Sequence, residues 1–313
     1  MLRFAVLRAA TLAFVLFGAS LVIFGVLRAL PGDPAIGMVT ANATPEAIQA
    51  MREQLGLHRP LHVQYLAWLG AALRGDLGRS FFYADSVATL IRQRFPVTLH
   101  LALAALAVAL LVAVPAGVFA ATRKGRWGDH LSRLLALAGV SMPVFWQGLL
   151  MILLFSVVLG WLPPGGYVAP SEGLGASAAH VLLPAVALGT AYAATITRML
   201  RASMLDALGR DYVTVARALG VPERVVVWND ALRNALIPTL TAAGFSFGTL
   251  LAGAVLTEVI FNIPGMGRLL YESILARDYP LVQGLVLTNV AVFVAINLSL
   301  DLLYAVLDPR VRG

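Results

Sequence analysis

The sequence predicts an all-α, polytopic membrane protein with six transmembrane helices, and three observations carry that expectation. First, the 313 residues are 59% hydrophobic and only 12% charged, whereas a soluble domain carries roughly 25% charged residues. With a mean hydropathy of +0.83, the chain has too little polar surface to cover a water-facing globule, so lipid must solvate much of it. Second, six stretches are long and apolar enough, or nearly so, to cross a ~30 Å hydrocarbon core at about 1.5 Å per helical residue. They are Ala9–Leu27, Leu101–Ala121, Leu134–Gly160, Val181–Thr197, Leu236–Thr257 and Leu281–Leu300. Third, basic residues fall in alternate connecting segments.

The first stretch follows Arg3 and Arg8, as the apolar core of a cleavable signal peptide would. It is longer than such cores. It also runs out at Leu27-Arg28-Ala29-Leu30-Pro31 without a clean A-x-A site, so an uncleaved span is expected. Residues 31–97 form a long polar insert. Within it, Thr44-Pro45-Glu46 reads as an N-cap, a proline at the first helical position and an acid in the first turn. That helix should run to Leu55, with Gly56 just beyond its end. A second helix is expected from Pro60 to Arg74, stopped by Gly75. Its Tyr65, Leu66, Trp68, Leu69 and Leu73 make an apolar stripe at helical spacing, expected to pack on the membrane helices or to lie in the interface, where Trp and Tyr are favoured. His58 and His62 stand four apart, but Pro60 lies between them and no carboxylate or cysteine completes a metal site.

The remaining spans carry prolines at Pro115, Pro143, Pro184 and Pro238, each of which removes a backbone donor and kinks its helix. The fourth span is the shortest and should extend beyond its apolar stretch. Glu258 closes the fifth. Asn297 and Asp301 share a face near the end of the sixth.

Between spans four and five, residues 198–235 hold Arg210-Asp211-Tyr212-Val213-Thr214-Val215-Ala216-Arg217-Ala218-Leu219-Gly220-Val221-Pro222-Glu223-Arg224 and, further on, Ala231-Leu232-Arg233-Asn234-Ala235-Leu236-Ile237-Pro238. A short helix should start at Asp211 and stop at Gly220 and Pro222. A second should start at that proline and run into span five. The elbow so formed has a small-residue face of Ala216, Ala218 and Gly220, flanked by basic side chains. It suits docking onto a partner.

Orientation follows from Arg and Lys placement. Arg3 and Arg8, then Arg123, Lys124, Arg126 and Arg133, then Arg198, Arg201, Arg210, Arg217, Arg224 and Arg233, and finally Arg310 and Arg312 fall on one side. The short loop 161–180 has neither Lys nor Arg. Short loops obey the positive-inside rule, while long ones such as 31–97 cross largely regardless of charge. Both termini are therefore expected in the cytoplasm. The net charge of +7 is explained by topology, without nucleic acid. Lys124 is the sole lysine and sits in Arg123-Lys124-Gly125, so the chain cannot form a P-loop and any ATP must bind another chain. Zero cysteines exclude disulfides, thiolate metal sites and Cys nucleophiles. With no H-E-x-x-H and no G-x-S-x-G, no enzyme activity is expected.

The elbow resembles the EAA-type coupling loop of ABC importer permeases, and in particular that of the peptide, nickel and glutathione permease family. In that family a D-Y-V-R-T-A-R-A-K-G run precedes H-A-L-R-N-A-L-x-P. Asp211, Tyr212, Val213, Ala216, Arg217, Ala218 and Gly220 match, as do Ala231, Leu232, Arg233, Asn234, Ala235, Leu236 and Pro238. Thr214, Leu219 and Asp230 replace Arg, Lys and His, which removes positive charge. Further matches follow in order. They are Leu30-Pro31-Gly32-Asp33-Pro34, Leu55-Gly56-Leu57, Gln64-Tyr65, Gly75-Asp76-Leu77-Gly78, Ser141-Met142-Pro143-Val144-Phe145-Trp146, Pro264-Gly265-Met266-Gly267-Arg268, Arg277-Asp278-Tyr279-Pro280, and Asn297, Asp301, Tyr304 and Asp308-Pro309-Arg310.

The resemblance implies a type I ABC importer permease fold, with residues 1–313 as one transmembrane domain that includes the external insert 31–97 and the cytoplasmic coupling loop 198–235. It implies a bacterial inner-membrane subunit that forms the translocation pathway for peptides or related small solutes. Implied partners are a second homologous permease, two cytoplasmic ATPase subunits holding ATP and magnesium, and an external substrate-binding protein. No cofactor is expected on this chain. Asp211, Tyr212, Ala216, Arg217, Gly220, Arg233 and Asn234 are the expected ATPase-coupling residues. The rival reading is an ATP-independent secondary transporter or channel, which would need no docking elbow and often shows paired broken helices in inverted repeats.

Overall fold

Backbone groups in hydrocarbon have no water to bond, so apolar segments of this length must satisfy their own N–H and C=O groups as helices. The computed structural model describes residues 2–29, 44–54, 56–127 and 142–307. Among them there is no strand beyond an isolated bridge between Arg79 and Ser86. In chain order the helices are α1 (Leu2–Ala29), α2 (Pro45–Gln54), α3 (Leu61–Ala72), α4 (Val87–Thr122), α5 (Val144–Met151), α6 (Leu174–Leu208), α7 (Asp211–Ala218), α8 (Glu223–Val225), α9 (Leu232–Gly253), α10 (Val255–Ile260), α11 (Met266–Leu275) and α12 (Tyr279–Leu307). Two π-helical stretches, Ile152–Val158 and Val226–Ala231, continue α5 and join α8 to α9.

Five helical segments among the described residues are long and apolar enough to span a membrane: Ala10–Ala29, Val87–Thr122, Leu174–Leu208, Glu223–Ala252 and Tyr279–Asp301. The third expected span is represented by the shorter apolar helix Val144–Val158. Arg133 and its stretch from Leu134 to Ser141 lie outside the described residues, as do the Leu30–Pro34 motif, Asp308-Pro309-Arg310 and Arg312.

Several boundaries differ from the sequence expectation. Residues 87–97, assigned to the insert, are the first turns of α4, because Arg92 and Arg94 do not interrupt a helix that continues into its apolar part. Helices run through Pro115, Pro184 and Pro238. Pro143 instead stands at the N-cap of α5, where its missing donor costs nothing. The fifth expected span breaks at Ala254, between α9 and α10 and ahead of Thr257. Pro60 is likewise an N-cap, so His58 lies outside α3 and shares no helix with His62.

The chain forms two compact units, one of residues 1–98 and 264–298 and the other of residues 99–263 and 299–313. In the first, α2 ends where the Gly56 N–H bonds to the Glu53 carbonyl and the Leu57 N–H to the Arg52 carbonyl. This double closure requires the positive φ of +64° at Gly56. The loop after α3 closes in the same way at Gly75. Tyr65 is buried against Phe24 of α1 at 5.4 Å between ring centroids, and its hydroxyl lies 2.8 Å from Ser20 Oγ. Trp68 stacks beside both rings. Part of the expected stripe therefore packs. Two of its residues do not, since Leu66 is 63% exposed and Leu73, at the C-cap of α3, is 80% exposed.

The rest of this unit is an apolar cluster of Val87, Leu90, Ile91, Met266, Leu269, Leu281 and Leu285. A buried carboxylate secures its loop. Asp278 accepts bonds from Ser80 Oγ at 2.5 Å and from the Phe81 and Phe82 N–H groups at 2.9 and 3.0 Å. It also caps α12 through the Leu281 N–H. Nearby, burial raises the Glu272 carboxyl, but hydrogen bonds from Arg268 (2.7 Å) and the Tyr83 hydroxyl (2.8 Å) outweigh it and hold it below the usual range.

In the second unit the helices meet through small residues. Ala109, Ala113, Ala193 and Ala243 surround Ile196. At Gly189 an added Cβ would come within 2.6 Å of the Ala105 carbonyl oxygen. Lipid tails are as apolar as leucine, so close backbone approach and dispersion, rather than water exclusion, hold such helices together. A second cluster, Val118, Leu200, Met204, Val227, Ala231 and Ala235, brings the ends of α4 and α6 against the start of the segment Glu223–Ala252.

Candidate functional site

The elbow begins at Asp211, an acid in the first turn of α7 that suits the positive end of the helix. Val213 is fully buried and seats α7 on the π-helical stretch Val226–Ala231. The helix then ends by the same double closure as α2. The Gly220 N–H bonds to the Arg217 carbonyl and the Val221 N–H to the Ala216 carbonyl, with Gly220 at φ +79°. No atom lies within 4 Å of where a Gly220 side chain would begin, so the constraint there is conformational rather than steric. Pro222 then caps α8 and redirects the chain into the segment Glu223–Ala252.

Two side-chain links brace the corner. Arg217 donates from Nη2 and Nε to the two carboxylate oxygens of Glu223, at 2.6 and 3.0 Å. The carboxylate holds the guanidinium above its already high range. With side chains 44% and 60% exposed, the pair adds little to stability. Its planar fork instead fixes the angle between α7 and α8. Across the corner, the Asn234 amide donates to the Tyr212 hydroxyl at 3.2 Å and to the Asp230 carbonyl at 2.8 Å.

The structure thus gathers Asp211, Tyr212, Ala216, Arg217 and Gly220 on one short helix and its cap, and ties Asn234 to Tyr212. Arg233 is exposed on α9 and makes no bond to the others among the described residues. The outer face is less uniformly small than the sequence suggested. Ala216 is half-buried, while Val215 (56% exposed) and Leu219 (78%) stand out on the side of Tyr212. Their i+3 and i+7 spacing from Tyr212 was the available signal, and Glu223 carried none because its link to Arg217 spans a turn. A rigid, braced corner that offers apolar side chains to water can bind a groove on another protein and transmit movement along α9.

Comparison with known proteins gives this corner its context. The family model for the inner-membrane component of binding-protein-dependent transport systems matches residues 113–313, and its N-terminal companion matches residues 1–102. A putative peptide transport system permease of Brucella abortus is 44% identical over 289 residues, 92% of each chain. The glutathione transport system permease of Escherichia coli K12 is 41% identical over 312 residues, covering 100% of this chain and 99% of its own. The dipeptide transport system permease of Alkalihalophilus pseudofirmus is 39% identical over the full length of both. The crystal structure of an amino acid ABC transporter shares the fold at a TM-score of 0.50 and 16% identity, over 71% of this chain and 94% of that one. Matched from end to end and folded as apolar helices around a braced corner, the chain belongs to the inner-membrane components of binding-protein-dependent transport systems, as a permease subunit of an ABC importer.

Proposed function

We propose that this permease imports small peptides or closely related solutes, and that the elbow 211–223 is the contact through which ATP hydrolysis on other subunits drives it. The substrate class is that named for its relatives, among them peptide, dipeptide and glutathione permeases. Both termini and the elbow face the cytoplasm, and the insert 31–97 faces outside, as the arginine placement argues. Two such permeases form the pathway, two cytoplasmic ATPases hold ATP and magnesium, and an external binding protein delivers substrate. This chain itself has no catalytic role.

The braced corner with exposed Val215 and Leu219 supports the coupling reading most directly. Where the D-Y-V-R-T-A-R-A-K-G run that the elbow resembles has lysine, Leu219 makes the contact apolar rather than ionic. Nucleotide-driven closure of the ATPases would move α7 as a rigid piece and carry the segment Glu223–Ala252 with it, a two-state element biased by a ligand on another subunit. Gly220→Glu and Leu219→Asp test it in the assembled complex. Each should leave membrane insertion intact and lower both transport and substrate-stimulated ATP hydrolysis at least tenfold. Ala176→Trp, at an exposed position in α6, should change neither. Full transport and full stimulated hydrolysis in both elbow variants would remove the coupling role.

A further inference from the structure

A cavity of about 290 Å³ opens in the first unit between α1, α3, the loop after α3 and the start of α12. Six residues give it its chemistry: Arg28, Arg59, Gln64, Trp68, Asp76 and Tyr279. Two of these carry buried polar atoms with no hydrogen-bond partner, Nε of Arg28 and Oε1 of Gln64. Buried polar groups are nearly always paired, so each orphan needs a reason.

The Gln64 orphan is not a matter of amide orientation. Its nitrogen donates to the Leu57 and Arg59 carbonyls at 3.2 and 2.8 Å, which fixes the carboxamide and leaves the oxygen as an unused acceptor. Arg28 packs its guanidinium over the Phe24 ring at 5.2 Å and keeps Nε as an unused donor. The cavity therefore lacks one acceptor and one donor. Its charges are split in the same sense, with two arginines and the Asp76 carboxylate, of which one oxygen is held by the Gly78 N–H. Trp68 and Tyr279 supply the apolar walls typical of small-ligand pockets.

We propose that this cavity binds a compact zwitterionic group, its anionic oxygens on Arg28 and Arg59 and its ammonium hydrogens on Gln64 Oε1 and Asp76. Arginine is the side chain suited to carboxylate and phosphate oxygens. Two sources share this chemistry, the termini of a free dipeptide and the headgroup of phosphatidylethanolamine. The first rests on the peptide-import reading above, and the second does not.

Titration calorimetry on the delipidated full-length chain in detergent separates them, using dialanine, dihexanoyl phosphatidylethanolamine and the uncharged acetyl-dialanine amide as probes. One zwitterion should bind saturably, and the uncharged analogue should not. Arg28→Gln should weaken binding at least tenfold. Arg59→Gln, at an exposed position, should also weaken it and serves if the first variant unfolds. Dialanine binding makes this a substrate site, and lipid binding makes it a headgroup site. If neither zwitterion binds, if the uncharged analogue binds equally, or if folded variants bind as well as the wild type, the cavity holds only water and the proposal fails. Dipeptide uptake by the assembled complex is measured in parallel. Uptake without zwitterion binding removes this site and leaves the import reading intact, and lipid binding without uptake does the reverse.

Discussion

Asp278 shows how one side chain can organise a loop. Its carboxylate is almost fully buried, yet it satisfies four donors from two segments nearly two hundred residues apart. Removing it strands the Phe81 and Phe82 N–H groups and uncaps α12, so Asp278→Ala should destabilise the protein by about 2–4 kcal/mol. Thermal unfolding in detergent reads this out. Ser80→Ala, which deletes one of the four bonds, should cost clearly less, and an Asp278→Ala protein that melts with the wild type would show the cluster to be ornamental. At this scale the sequence was legible where a backbone requirement is local. Gly56, Gly75 and Gly220 each follow a helical run, and each adopts the left-handed conformation expected of such a residue. It was not legible where the partner is remote. Nothing in Arg277-Asp278-Tyr279-Pro280 announces a bond to Ser80. Nor does the sequence show that Leu66 is exposed while Tyr65 beside it is buried.

Helices in this chain are defined less by propensity than by what lies beside them. Two glycines inside helices make the point. At Gly189 in α6 an added methyl would meet the Ala105 carbonyl at 2.6 Å and Val108 at 2.8 Å, whereas at Gly70 in α3 nothing lies within 4 Å. The same substitution should therefore act with opposite sign. Gly189→Ala must push α6 off α4 and should cost about 1–3 kcal/mol. Gly70→Ala should be neutral or stabilise by up to about 1 kcal/mol, since alanine is the better helix former. Melting temperatures of the two variants decide it, and equal shifts in one direction would mean the α4–α6 approach is looser than it stands here. Apolar length alone revealed that these elements exist, and missed where they begin and change. α4 starts at Val87 because the apolar side of its first turns, Val87, Leu90 and Ile91, packs on Met266, Leu269, Leu281 and Leu285, a tertiary cause. The π-helical stretch Val226–Ala231 adds a residue to a turn that the sequence reads as plain helix, and it lies directly under the elbow.

Across the whole molecule, charge placement argues for one orientation, and that orientation determines what the elbow and the insert can meet. Residues 161–180, which include no Lys or Arg, run into the first turns of α6, and the arginine-rich segment 198–235 follows its apolar part. A single crossing thus separates the least and the most basic connections, the situation in which the positive-inside rule discriminates best. The cluster Arg123, Lys124 and Arg126 after α4 falls on the same side as 198–235 if α5 and the residues before it cross once. Its position therefore tests the incompletely described third span as well. A reporter inserted after Gly125 or Gly209 should be cytoplasmic, and one after Gly173 should be external, with protease cutting intact cells only at the last. The Gly125 site separates the alternatives for the short helix Val144–Val158. If that segment fails to cross, Gly125 and Gly173 share a side, and the reporter at Gly125 becomes external while that at Gly209 stays inside. If all three positions reverse, the elbow faces away from any cytoplasmic ATPase, and the coupling role proposed for Leu219 and Gly220 loses its physical basis.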